Sequence, residues 1–334
     1  MKNIDALVQR AVHKYLPATP RVSNLQPLTG GAASTTWQFD ADSEAGNLQL
    51  ILRLAPGSGT MDAGLDKSTE ALVQRVAAAS GVPVAEVQFV LAPEDGLGEG
   101  YVMMRLSGES IPRKILRNEA FSGARERMTA QCGEFLARIH RVDTRSVPDL
   151  PELSAQLQLQ RYEQIYRQLA EPMASFELAF RLLHQHCPAG EPPCLVHGDF
   201  RNGNFLVDPV GGITTVLDWE LAHRGDPMED LGWLCVNSWR FGYTEKPVGG
   251  FGQREALYAA YEAAGGAAVD PERVRFWEFF GVLKWGVMCL QLTHAHLGGD
   301  VRSVERAAIG RRVSEVEIDL LSFFNTTMGS GHGE

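Results

Sequence analysis

The sequence predicts an α+β fold, with strands gathered near the N-terminus and helices through most of the remainder. Three observations predict it. Alternating or β-branched apolar runs crowd into residues 22–54 and 87–106. Beyond 107 the apolar residues recur at helical spacing, interrupted once, at 194–220. The 334 residues are 44% hydrophobic and 22% charged, enough apolar material for a sizeable core in one large or two ordinary domains. The expected divisions are 1–106, 107–327 and a disordered tail at 328–334.

Residues 4–16 carry Ile4, Leu7, Val8, Ala11, Val12 and Leu16 at helical spacing up to Pro17, a helix rather than a signal peptide. Strands follow at 22–28, 35–39 and 48–54. The third places Arg53 at a buried strand end, where a cation is costly unless paired. Between the first two lies a loop with Gly30, Gly31 and Ser34; small residues there let backbone N–H groups approach phosphate oxygens. Residues 62–80 read as a helix ended by Gly81-Val-Pro83, with Asp66 and Glu70 on one face. Two more strands, 87–91 and 101–106, flank an acidic loop and complete a five-stranded sheet. Helices are then expected at 121–142, 157–169 and 176–187, after Asp226-Pro227, from Asp270-Pro271 to about 296, and at 303–324.

Residues 194–220 read as two short apolar strands joined by a tight turn. Cys194-Leu-Val-His197 runs into Gly198-Asp199, 205–207 leads to a turn at 208–212, and 213–217 stops at Asp218. Such a hairpin holds Asp199, Asn204 and Asp218 near one another. Carboxylates and an amide oxygen are hard ligands, suited to Mg²⁺ rather than zinc. One carboxylate is left over as a base. Phosphoryl transfer needs this equipment: little covalent chemistry, much positioning and charge neutralisation.

His197-Gly-Asp199-x-x-x-x-Asn204, followed 14 residues later by Asp218-Trp-Glu220, resembles the kinase-like phosphotransferases of the aminoglycoside phosphotransferase family. Protein kinases carry H-R-D-x-x-x-x-N and D-F-G in these places. His-Gly-Asp and Asp-Trp-Glu stand here instead, and no Ala-Pro-Glu follows, which points to a small-molecule kinase. The resemblance covers about residues 20–325. It implies a protein-kinase-like two-lobe fold, with an N-terminal antiparallel sheet and a mainly helical C-terminal lobe. It implies ATP and Mg²⁺ as cofactors, Asp199 as the base, and Asn204 and Asp218 as metal ligands. It also implies that Gly30, Gly31 and Ser34 cover the phosphates. Arg53, where the fold usually has Lys, would contact them, oriented by Glu70 or by Asp66. Backbone groups from Met104 to Leu106 would read the adenine edge.

Arg201 and Arg224, with Arg113, Lys114 and Arg117, are cations placed near the expected acceptor and suit an anionic one. Glu220 could assist a metal or bond a backbone amide. The strings 197–204 and 219–233 resemble the kinase-like domains fused to or encoded with acyl-CoA dehydrogenases, which implies a hydroxyacyl-CoA or hydroxy acid as acceptor. The alternatives are an aminoglycoside or macrolide antibiotic phosphotransferase and a catalytically weak nucleotide-binding module. A net charge of −10 disfavours a nucleic-acid partner, and no apolar run is long enough for a bilayer. Five cysteines without a C-x-x-C pair suggest free thiols and a cytoplasmic location. The oligomeric state is not legible in the sequence.

Overall fold

An amphipathic helix, α1 (Ile4–Tyr15), precedes an antiparallel sheet of β1 (Arg21–Leu28), β2 (Thr35–Ser43), β3 (Gly46–Leu54), β4 (Val87–Val90) and β5 (Gly100–Met104). The strand order is β1-β2-β3-β5-β4. The computed structural model describes residues 4–28, 35–44, 46–55, 64–169, 172–190, 192–299 and 303–328. The loop with Gly30, Gly31 and Ser34, and the tail beyond 328, lie outside these.

Period-two alternation gives β3 two different faces. Leu50, Leu52 and Leu54 join Val8, Val12, Phe39 and Phe89 in the core under α1. Arg53 belongs to the other face, in register with Thr36 on β2 and Tyr101 on β5. There α2 (Lys67–Ala79) packs Ala71 with Tyr101 and Val87. This helix starts where Asp66 caps it, accepting from the Thr69 N–H at 2.9 Å. Asp66 is therefore spent on the cap.

The helical part comprises α3 (Pro112–Arg117), α4 (Ser122–His140), α5 (Ala155–Leu169) and α6 (Ala174–Gln185), then α7 (Met228–Cys235), α8 (Arg254–Ala263), α9 (Pro271–Leu297), α10 (Val304–Gly310) and α11 (Val313–Met328). Helix α9 is apolar on nearly every side and packs against α5, α6, α7, α10 and α11. Asp270 caps it and Pro271 opens it. All five cysteines are free thiols, with Cys132, Cys235 and Cys289 buried. Among the described residues no helix is long and apolar enough to cross a membrane.

Three expectations are corrected. The apolar run at Cys194 is not part of the hairpin: β6 (Cys194–Val196) pairs with an unforeseen strand, β9 (His223–Gly225). Gly198 and Gly203 carry φ of 79° and 114°, conformations that favour glycine, and they turn the chain between β6 and the next strand. The hairpin proper is β7 (Phe205–Asp208) with β8 (Gly212–Val216). The helix after Asp226-Pro227 begins at Met228, one residue late, although the Asp226 carboxylate accepts from the Met228 N–H as a cap does, and also from Trp277 Nε1. The single helix expected at 303–324 is two, α10 and α11. Gly310 ends the first where it abuts Thr293 with no room for a Cβ.

The chain forms two units. One contains Met1–Arg127, Arg141–Leu150 and Asn204–Ala222, hence the five-stranded sheet and the β7–β8 hairpin. The other contains Met128–His140, Pro151–Gly203 and His223–Glu334, hence the β6–β9 pair and helices α5 to α11. Within the first, Glu109 and Val207 exchange two backbone hydrogen bonds of 3.0 Å, and Val216 N–H donates to Pro83 O at 2.7 Å.

Candidate functional site

In the first unit, a buried charge cluster forms around Arg53. Its Nη2 lies 2.9 Å from Asp218 Oδ1, 3.2 Å from Glu70 Oε1 and 3.4 Å from Glu220 Oε2. Lys67 Nζ joins Glu70 Oε2 at 2.6 Å and Glu220 Oε2 at 3.8 Å. The Tyr101 hydroxyl donates to Glu70 Oε1 at 2.9 Å. Glu70 and Lys67 are one turn apart on α2, and Tyr101 is the cross-strand neighbour of Arg53, so β3, β5 and α2 build the cluster together. Buried charges persist only when paired and hydrogen-bonded. Burial works against the charge on Arg53, but Glu70 and then Asp218 outweigh it and hold the guanidinium above its ordinary pKa. Burial and the Asp218 charge push Glu220 up to about 7.

Asp218 and Asn204 stand at the open end of the hairpin. Asn204 O accepts from the Leu217 N–H at 2.9 Å, so the residue before β7 sits beside the one preceding Asp218. Asp218 has φ 66°, a left-handed backbone uncommon outside glycine and frequent at functional sites. Glu220 is anchored by its backbone, its O accepting from the Leu65 N–H at 2.7 Å. The pair Asn204 and Asp218 offers one amide and one carboxylate. Among the described residues no group of three or more His, Cys, Asp or Glu could hold a metal. Two oxygen donors on the protein fit Mg²⁺, which takes few carboxylates and fills its shell with phosphate and water. Arg53 Nε is buried without a hydrogen-bond partner among the described residues, a donor suited to a phosphate oxygen.

The second unit carries the loop after β6. Asp230 on α7 accepts from the His197 N–H at 2.8 Å and the Gly198 N–H at 3.0 Å, and from His140 Nε2 at 3.2 Å. Burial opposes its charge, yet His140 and the loop amides hold its pKa below the usual carboxylate range. His197 Nδ1 in turn accepts from the Asp199 N–H at 3.2 Å, a scaffold role. Two donors meet on Asp199 Oδ1, Arg201 Nε and Trp233 Nε1, each at 2.8 Å. The Arg201 guanidinium also lies 4.4 Å from the Trp239 ring centre. Arg224 is on β9, where its backbone clamps Pro151 and Leu153 and its side chain pairs with Glu152 at 3.5 Å.

Of the predicted site residues, the structure thus groups Arg53, Glu70, Asp218 and Glu220 in one cluster and ties Asn204 to the strand end carrying Asp218. It joins Asp199 to Arg201 and sets Arg224 on a separate clamp. Met104 N–H is given to Glu86 O and Arg105 N–H to Gln49 O, while Leu106 is 41% exposed. Lys67, Tyr101 and Trp233 were not among the residues expected from the sequence. The signal for Lys67 was its i,i+3 spacing to Glu70; a Trp or Tyr in an apolar run carries none.

Residues 24–277 match the phosphotransferase enzyme family, and the chain belongs to it. It is 26% identical over 247 residues to acyl-CoA dehydrogenase family member 10 of Mus musculus, a match that covers 69% of this chain and 22% of that protein. The chain spans less than a third of the length of the curated relatives it matches. In fold it resembles a putative aminoglycoside phosphotransferase from Ralstonia eutropha JMP134, with a TM-score of 0.73 at 20% identity, covering 93% of this chain and 95% of that one. It also resembles macrolide 2′-phosphotransferase MphH from Brachybacterium faecium, with a TM-score of 0.59 at 19% identity, covering 92% and 97%.

Proposed function

We propose that this member of the phosphotransferase enzyme family transfers the γ-phosphoryl group of ATP to a hydroxyl of a small molecule, with Mg²⁺. One observation carries the reading: Arg53 bridges Glu70 and Asp218 while keeping a buried N–H without a partner among the described residues. That arrangement supports a phosphate clamp held in place before its ligand arrives. Arg53 would contact the phosphates, with Gly30, Gly31 and Ser34 covering them. Leu106 would offer backbone to the adenine edge, since the Met104 N–H is engaged. Asn204 and Asp218 would hold Mg²⁺, which neutralises phosphate charge when bound.

Asp199 orients the acceptor hydroxyl. As that oxygen bonds to the γ-phosphorus, the bond from phosphorus to the bridging oxygen breaks. The electron pair leaves with ADP, and the hydroxyl proton passes to Asp199.

The acceptor reading changes from the one the cations suggested. Arg201 is taken up by Asp199 and Arg224 by Glu152, so neither argues for an anionic acceptor. The fold neighbours' titles name aminoglycoside and macrolide phosphotransferases, and we place such an antibiotic first. A hydroxyacyl-CoA is second, favoured by the relatives whose names carry acyl-CoA dehydrogenase. Free thiols support a cytoplasmic enzyme. Release of ADP from MgATP over a panel of aminoglycosides, macrolides and 4-hydroxyacyl-CoAs tests this. Turnover with none of them, at full MgATP binding, would favour a binding module instead.

A further inference from the structure

The indole of Trp233 is engaged on two sides. Its Nε1–H donates to Asp199 Oδ1 at 2.8 Å, and Lys284 Nζ lies 4.8 Å from its ring centre. Both side chains are buried, Trp233 being 3% exposed and Lys284 5%. Lys284 pairs with Glu229 at 3.6 Å and lies 5.7 Å from the Tyr162 ring. Burial disfavours its charge, but Tyr162, Glu229 and Asp199 outweigh that and hold its pKa above the ordinary lysine value. A desolvated ammonium over an indole face is among the stronger cation–π contacts. The ring is further fixed against Trp239, with centroids 5.2 Å apart, and against Gly281 of α9, where a Cβ would come within 3.1 Å of it. Helix α7 therefore holds the loop twice. Asp230 binds the backbone of His197 and Gly198, and Trp233 binds the side chain of Asp199.

We propose that Trp233 is a positioning residue for Asp199, and that Lys284 fixes the indole in turn. Trp233 acts through Asp199 rather than on the acceptor itself. It restrains Oδ1, so that the carboxylate meets the acceptor in one orientation. Arg201 binds the same oxygen through a long flexible side chain, whereas a rigid ring donor sets direction as well as distance. The inference rests on the phosphotransfer reading of Asp199.

Trp233→Phe keeps a ring for Lys284 and removes the N–H. Two measurements on the full chain test the role. With ¹⁵N-labelled tryptophan, the indole resonance lost in W233F identifies Trp233, and Asp199→Asn should displace it. In MgATP turnover with water as acceptor, W233F should lower kcat about 10- to 100-fold with KM for MgATP within about twofold. Lys284→Met should lower kcat less, in the same direction. A W233F kcat within twofold of wild type, or a Trp233 resonance unmoved in D199N, overturns the proposal. Absence of wild-type turnover with water and with every acceptor of the panel instead defeats the phosphotransfer reading. The resonance still decides the contact in that case: movement in D199N upholds it, and no movement overturns it.

Discussion

Arg53 and Asp218 lie 165 positions apart in the sequence and share a 2.9 Å hydrogen bond. One sits on the five-stranded sheet and the other just past the β7–β8 hairpin, so the bond ties the hairpin to the sheet within the first unit. Its partner Glu70 is fully buried. The cation is thus oriented before any ligand arrives, and its environment gives the first prediction.

Arg53→Lys keeps a charge but loses the fork that reaches Glu70, Asp218 and a phosphate together. MgADP affinity should fall about tenfold by calorimetry, a loss of about 1.4 kcal/mol. Arg53→Met removes the cation shared by buried Glu70 and half-buried Asp218 while Lys67 and Tyr101 still hold Glu70, and should cost about 1–3 kcal/mol of stability in urea unfolding.

Asp218→Asn leaves one amide oxygen but removes the negative charge and the second oxygen of the carboxylate proposed for Mg²⁺. The Mg²⁺ concentration for half-maximal turnover should rise at least about tenfold, while nucleotide binding without metal changes little. Excess EDTA should abolish wild-type turnover reversibly. A variant with unchanged Mg²⁺ dependence would remove Asp218 from the metal site.

Asp230→Asn should weaken the loop before Asp199. The fully buried carboxylate holds two backbone amides and His140, so its loss should cost about 2–4 kcal/mol. The sign with pH follows from the lowered pKa. The unfolded chain takes up the proton first as pH falls below about 4, so the Asp230 contribution is complete above that and is lost through the folded pKa below it. Wild-type stability should drop more steeply than that of D230N as pH falls below about 4, as urea midpoints would show.

Much of this was legible in the sequence, for physical reasons. Arg53 stands out because a cation in an alternating apolar run must be paired when buried. Asp199, Asn204 and Asp218 stand out because acids and an amide fall at the ends of short apolar runs. The pairing of β6 was not legible: a three-residue apolar run fits any open edge, and its partner β9 is equally short and carries His223 and Arg224. Nor was the engagement of Arg201, which reads as an available cation until Asp199 is seen at 2.8 Å. Lys284 was visible as a charge interrupting the most apolar helix, but helical spacing cannot say that its neighbour in space is Trp233. Trp233 itself looks like any core aromatic.

The most direct test of the account is phosphoryl transfer from [γ-³²P]ATP by Asp199→Asn, measured beside wild type with the acceptor that the panel identifies. The account predicts that D199N binds MgADP as wild type does and transfers label at least about 100-fold more slowly. Transfer by D199N at the wild-type rate would contradict it.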